Sequence, residues 1–97
     1  MLRFEWDKRK AALNLKKHGV TFDEASTLFS NPLASIFDDE DHSSYEPREI
    51  IVGHSVIDRL LVVSFTEGHD GVIRLISARV ATRREREDYE QREEEQS

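Results

Sequence analysis

The sequence has no cysteine, which removes a disulfide framework, a thiolate nucleophile, a cysteine zinc site and an iron–sulfur cluster together. Its histidines are His18, His42, His54 and His69, and none of them share the HxxxH or HxH spacing that sets two imidazoles on one face of a helix or strand. No metal and no organic cofactor is expected, although carboxylate sites remain chemically open. Long apolar runs are also missing. The longest, Leu60 to Val63, falls far short of the roughly 18 residues that cross a bilayer, and the basic start leads into no apolar stretch of the kind a secretory signal carries. A cytoplasmic protein with no membrane partner is the expectation.

What is present is a chain of 97 residues with 37% hydrophobic side chains, enough for one small domain that buries about 60 to 65% of its unfolded surface. A multi-domain enzyme is excluded on length. The formal charge is −6, from 14 Lys and Arg against 20 Asp and Glu. That sum opposes a phosphate-binding role, but its distribution is uneven. Residues 1–19 carry six bases and two acids, residues 20–50 one base and eight acids, residues 51–81 three of each, and residues 82–97 four bases and seven acids. Separated blocks of opposite sign allow one face to bind phosphate and another a basic partner.

Along the chain, residues 2–6 read as a short strand and Asp7 as the N-cap of a helix that runs to His18. Gly19 is its left-handed stop, with Val20 folding back on Leu15. Thr21-Phe22-Asp23-Glu24 has the form of a capping box, and a second helix with Ala25, Leu28 and Phe29 inward should end at Asn31-Pro32. A strand over Leu33 to Phe37 precedes a polar loop from Asp38 to Tyr45. From Arg48 the hydrophobic period changes to two. Ile50 to Val56, Leu60 to Phe65 and Val72 to Val80 then form an antiparallel meander turned by Asp58-Arg59 and Gly68-His69-Asp70-Gly71. Thr82-Arg83-Arg84-Glu85 is a second capping box, opening an almost wholly polar helix. The expected fold class is α+β: two N-terminal helices, an antiparallel sheet of three to five strands and a C-terminal helix, all in one domain over residues 1–90 with a frayed polar tail over 91–97.

Three groups of residues could carry chemistry. In the first helix Lys10, Asn14 and Lys17 stand at i, i+4 and i+7 with His18 beside them, a polar stripe opposite Ala12 and Leu15 that could hold a phosphate and offer an imidazole, or simply be a solvated face. Arg48 and His54 share one face of their strand. Arg74 lies inside an apolar run, where an unpaired charge would be costly, and Arg79 lies at its end. These arginines suit forked hydrogen bonding to phosphate, or else pairing with carboxylates such as Glu49 and Glu67. In the last helix Arg83/Glu87, Arg84/Asp88 and Arg86/Glu90 stand at i, i+4 with the base first, the weaker order. Tyr89 reads equally as a packing anchor or a working phenol, and Trp6 as core.

The segments Phe4-Glu5-Trp6-Asp7, Asn14-Leu15-Lys16-Lys17-His18-Gly19-Val20, Phe22-Asp23-Glu24-Ala25, Ile73-Arg74-Leu75-Ile76-Ser77-Ala78-Arg79 and Thr82-Arg83-Arg84-Glu85 through Tyr89, taken in that order, resemble the BrnT family of type II toxin–antitoxin systems. The resemblance covers about residues 4 to 90. It implies a RelE-like fold, a ribonuclease toxin that inhibits translation by cutting RNA without metal, and a cognate ribbon-helix-helix antitoxin, BrnA-like, through whose complex alone DNA is contacted. Where the family usually has a glycine-containing turn between meander strands, this chain has Ile57-Asp58-Arg59.

Metal-free RNA cleavage needs a base for the 2′-hydroxyl, cations for the pentavalent phosphate and an acid for the 5′-oxygen. The resemblance makes His18 the candidate for proton transfer in either direction, with Lys17, Arg48 and Arg79 stabilising charge. Lys10 and Asn14 are candidate RNA contacts, and Glu67, Arg74 and Tyr89 are secondary candidates. Glu85 is read first as a helix cap. The alternative is a non-enzymatic RelE/ParE-like module that grips a protein target or serves only as a co-repressor subunit.

Overall fold

The Asp7 carboxylate accepts from the amides of Arg9 (2.8 Å) and Lys10 (3.1 Å), and the helix it caps, α1, spans Lys8–His18. Gly19 closes it at φ 69°, donating its N–H to the Leu15 carbonyl. Residues 2–42 and 47–96 are described by this computed structural model. Thr21 accepts from the Glu24 amide at 3.0 Å and starts α2, Phe22–Ser26. The chain then tightens into a 3-10 turn over Thr27–Ser30, so the second helix is α-helical for only half its expected length. The hydroxyls of Ser26 and Thr27 donate to the carbonyls of Asp23 (2.7 Å) and Glu24 (2.6 Å), a local alternative that competes with regular helical bonding.

The five strands are β1 Arg3–Glu5, β2 Ser35–Asp38, β3 Glu49–His54, β4 Leu60–Glu67 and β5 Val72–Val80, in the order β1-β5-β4-β3-β2. The meander β3–β4–β5 and the β2–β3 pair are antiparallel, but β1 runs parallel to β5. The sheet is therefore mixed, not wholly antiparallel as expected. Hairpins fix the antiparallel direction of the meander, whereas β1 and β5 lie at opposite ends of the sequence with no such constraint. In the β3–β4 turn Asp58 adopts φ 62°, a left-handed conformation in which glycine would be unstrained. Of the polar stretch after β2, Glu40–His42 forms a 3-10 turn, and Ser43 to Tyr45 lie outside the described residues.

One face of the sheet carries the core. Ile51, Val63, Phe65, Ile73 and Leu75 pack there against Val20, Phe22, Ala25 and Leu28. Phe29 links Phe4 (5.3 Å) and Phe65 (4.9 Å) edge to face, and Trp6 meets Phe22 at 6.0 Å. The opposite face bears Phe37, Ile50, Val52, Val62 and Arg79 and is crossed by α3, Arg83–Gln96. Tyr89 anchors this polar helix: its ring is buried against His54 and its hydroxyl donates to the Leu33 carbonyl at 2.8 Å. Arg92 adds a guanidinium 4.3 Å from the centre of the Phe37 ring. Of the three base-first pairs expected on α3, Arg83–Glu87 forms at 3.2 Å on the solvent side. Arg84, Arg86, Asp88 and Glu90 make no ion pair among the described residues.

Candidate functional site

β1 covers β5 only from Val72 to Arg74, so the rest of β5 would present unpaired backbone groups. Asn14 takes the place of the missing strand. Its Oδ1 accepts from the Ala78 amide at 3.1 Å, and its Nδ2 donates to the carbonyls of Ala78 (2.8 Å) and Val20 (3.0 Å). Only a side-chain amide of this reach supplies both halves of a strand's pairing. The expected stripe on α1 is consequently broken. Asn14 is 7% exposed and faces the sheet, while Leu13 and Leu15 are 60% and 48% exposed. Ala11 packs on the core and His18 is half-buried on the same side of the helix. At 100° per residue Lys10 and Lys17 fall on the other shoulder, turned toward the outer surface of β5. They are exposed and make no ion pair among the described residues.

Arg79 lies on that outer surface, opposite Val62. Its Nη1 and Nη2 donate to Glu85 Oε1 (2.7 Å) and Oε2 (2.8 Å), a two-pronged pair. Oε1 of Glu85 also accepts from the Thr82 amide at 2.8 Å, and Thr82 accepts in return from the Glu85 amide at 3.2 Å. The capping carboxylate thus also orients the arginine. The Arg79 guanidinium, and secondarily the Thr82 amide, hold the Glu85 carboxyl at about 2 against the opposing effect of burial. Hydrogen bonding to Glu85 likewise raises the pKa of Arg79.

Lys17 and His18 stand at the same end of the sheet. Asn14 fixes α1 at Ala78, and one turn further the Gly19 carbonyl accepts from Arg59 Nη2 of the β3–β4 turn at 3.1 Å. Arg59 is itself held by Glu24, whose carboxylate accepts from its Nε at 2.9 Å and from Ser55 Oγ at 2.7 Å. Glu24 therefore does not complete the first capping box; it ties α2 to the turn, and the Arg59 hydrogen bond lowers its pKa despite burial.

The other candidates lie elsewhere. Arg48 precedes β3, where its carbonyl accepts from the Asp39 amide at 2.7 Å. From the register it sits roughly 13 Å along and about 10 Å across the strands from Arg79. Glu67 ends β4 near Glu49, whose pKa is raised by burial first and then by the charges of Asp38 and Glu67. Arg74 is exposed on the outer surface, paired with Glu5 at 3.5 Å, so its place in an apolar run carries no burial cost. Neither Arg74 nor Arg79 pairs with Glu49 or Glu67. Tyr89 is an anchor: burial first, then a hydrogen bond with Glu93, pushes its phenol up to about 12.

Beneath α3 the outer face is not filled. A cavity of about 280 Å³ opens between the helix and Ile50, Val52 and Val62, with Phe37 and Tyr89 among its walls. Arg79, Glu85, Asp88 and Arg92 add charge to the lining.

Residues 6–85 match the family model for the ribonuclease toxin, BrnT, of type II toxin-antitoxin systems. The chain belongs to this family. Its fold is similar to the 1.1 Å crystal structure of the Brucella abortus ribonuclease toxin, BrnT, with a TM-score of 0.66 at 22% identity over 86% of this chain and 100% of that one. No curated protein matches the chain by sequence. The stretch shared with the BrnT family includes Lys17, His18, Arg48, Arg79 and Glu85 and stops before Asp88, Tyr89 and Arg92. Sequence reasoning read Asp88 only as a partner for Arg84 and passed over Arg92. With Glu85 and Tyr89 they make an i, i+3, i+4, i+7 set that marks the sheet-facing side of α3, but the set is mostly polar and gives no hydrophobic signal.

Proposed function

We propose that this BrnT-family chain cleaves RNA without a metal ion and thereby blocks translation, acting in the cytoplasm until a BrnA-like ribbon-helix-helix antitoxin binds it. The observation that carries this reading is the arginine fork at the end of β5: Arg79 is held by Glu85 on the surface toward which the Lys10 and Lys17 shoulder of α1 turns, and His18 lies on the last turn of that helix, on the core-facing shoulder with Ala11. A phosphodiester laid across this edge would meet the held Arg79 on one side and the lysines of α1 on the other. Imidazole is the side chain that exchanges protons near neutral pH, so His18 takes the proton from the 2′-hydroxyl. The 2′-oxygen forms its bond to phosphorus, Lys17 and Arg79 stabilise the added negative charge, and the bond from phosphorus to the 5′-oxygen breaks as that oxygen takes a proton from water, giving a cyclic phosphate. Arg48, Glu67 and Arg74 lie too far along the sheet to join that chemistry and are assigned to RNA contact.

The test is cleavage of purified RNA in EDTA by the chain and by His18→Ala, Lys17→Ala and Arg48→Ala. Cleavage should persist in EDTA, fall at least about a hundredfold for His18→Ala, and fall less for Arg48→Ala. Cleavage only after addition of a divalent ion, or a loss centred on Arg48, would overturn the assignment. A second reading has one observation in its favour, the two-pronged pairing of Arg79 with Glu85. On that reading the chain grips a protein target or serves as a co-repressor subunit, and no RNA is cut under any condition. Antitoxin partnership is tested by co-purification with the neighbouring gene product, which should abolish cleavage.

A further inference from the structure

We infer that the cavity beneath α3 is a nucleobase subsite that selects guanine, with Asp88 as the specificity-determining residue. The inference rests on the ribonuclease reading for its biological sense but not for its test. The space, about 280 Å³, lies at the lower edge of the roughly 300–1,000 Å³ typical of small-molecule sites, room for one nucleoside and not for a length of chain. Ile50, Val52 and Val62 give it an apolar floor and Phe37 and Tyr89 give it aromatic walls, surroundings that favour a flat, weakly hydrated ring over a sugar or an ion. Arg79 lines the same space, so a base seated there puts its own phosphate at the arginine fork.

Two carboxylates border the cavity. Glu85 is consumed by Arg79 and the Thr82 amide. Asp88 makes no hydrogen bond or ion pair among the described residues, and its expected i−4 partner Arg84 leaves it free. A carboxylate offers two adjacent acceptors. Of the four RNA bases only guanine presents two adjacent N–H donors on one edge, N1–H and the N2 amino group. Adenine and cytosine each place an acceptor nitrogen beside their amino group, and uracil flanks its one N–H with carbonyls. An unengaged carboxylate at the rim of an apolar slot therefore fits guanine and leaves the other bases with an acceptor facing an acceptor.

The experiment compares guanosine, inosine and adenosine 5′-monophosphates binding to the intact chain, followed by amide chemical shifts. All three share the phosphate, so differences report the base. Guanosine monophosphate should bind about tenfold or more tightly than adenosine monophosphate, with inosine, which lacks the N2 amino group, in between. Shifts should centre on Ile50, Val52 and Tyr89. Asp88 is exposed, so Asp88→Asn should fold normally and bring the three affinities together. Equal affinities in the unaltered chain, shifts centred elsewhere, or an unchanged preference in Asp88→Asn would overturn the inference. If RNA is cleaved with no such preference, the subsite fails and the ribonuclease reading stands. If guanine is preferred through Asp88 while RNA is left uncut, the subsite stands and the ribonuclease reading fails.

Discussion

Replacing Glu85 by glutamine removes the charge that fixes Arg79 while keeping shape, and its consequences can be worked out from the structure. The Glu85 carboxyl is held at about 2 instead of the usual 4.5. At about 1.36 kcal/mol per pH unit this difference corresponds to at most about 3.4 kcal/mol of pairing energy. Arg79 and Glu85 are 40% and 34% exposed, so solvent screening reduces the figure to about 1–2 kcal/mol. In a domain of this size that is a fall of about 4–12 °C in melting temperature. The sign with pH follows from the depressed pKa. The contribution is complete above about pH 4.5, where an unfolded chain's carboxyl is also ionised, and disappears as pH falls toward 2. Urea unfolding of the chain and Glu85→Gln at pH 7, 5, 4 and 3 should give two stability curves that are separated at neutral pH and converge below pH 4.5. Glu24, whose pKa is also lowered, titrates in both proteins and cancels in the difference. The rate of RNA cleavage per folded molecule should fall about tenfold or more, since Arg79 keeps its charge but loses its fixed direction. A gap that stays constant from pH 7 to pH 3, or identical melting at pH 7, would refute the coupling. Unchanged cleavage by the folded variant would remove Arg79 from the chemistry.

Three further outcomes follow from the same geometry. Asn14→Ala should cost about 1–3 kcal/mol in urea unfolding, because the Ala78 amide and carbonyl lose their partner at a partly covered edge, and Asn14→Leu should not rescue it. Asp58→Gly should stabilise the chain by up to about 1 kcal/mol by relieving the left-handed φ, provided the more flexible unfolded chain does not offset the gain. Its melting temperature is the check. Tyr89→Phe should cost about 1 kcal/mol through the lost bond to the Leu33 carbonyl, whereas Tyr89→Ala should lower the protection of α3 amides in hydrogen exchange far more than that of the meander.

The elements were legible wherever a local signal sets them. Asp7, Gly19 and the Thr21 hydroxyl mark helix ends by bonds made within a few residues, and the period-two run from Ile50 to Val80 marks the meander. Tertiary pairings were not legible. Nothing near Asn14 in sequence says that residue 78 will present an unpaired edge, so its polarity suggested an exposed stripe, with Ala12 and Leu15 on the face opposite. The half-length of α2 was similarly hidden, since Ser26 and Thr27 are as compatible with a helix as with the hydroxyl-to-carbonyl bonds they make. At the site, the types Lys17, His18 and Arg79 could be read, and the Thr82–Glu85 cap could be read from spacing. That one carboxylate would serve both cap and arginine depends on β5 ending beside the start of α3. Arg48 shares the outer face of the sheet with Arg79, as strand parity requires, but register places it at the far end.

The same register removes the acidic rim of β2 from the conflict between a net charge of −6 and a phosphate ligand, and leaves beside Arg79 the acids of α3, Glu85 and Asp88 among them. The densest acidic run, Asp38 to Asp41, starts at the last residue of β2, the edge strand at the opposite side of the sheet from β1. Three strand spacings separate β2 from β5, about 14 Å. At physiological ionic strength the Debye length is about 8 Å, so this acidic rim is largely screened at Arg79, while the shoulder of Lys10 and Lys17 lies within reach of it. At about 0.01 M salt the Debye length grows to about 30 Å and the rim is felt across the whole sheet. Two effects then oppose each other as salt rises: counterion competition weakens the basic shoulder, and screening hides the acidic rim. A uniformly basic RNA-binding surface has only the first. The separation of charge along the chain therefore makes net charge a poor guide to ligand here, because the sheet converts distance in sequence between the two blocks into more than one screening length in space.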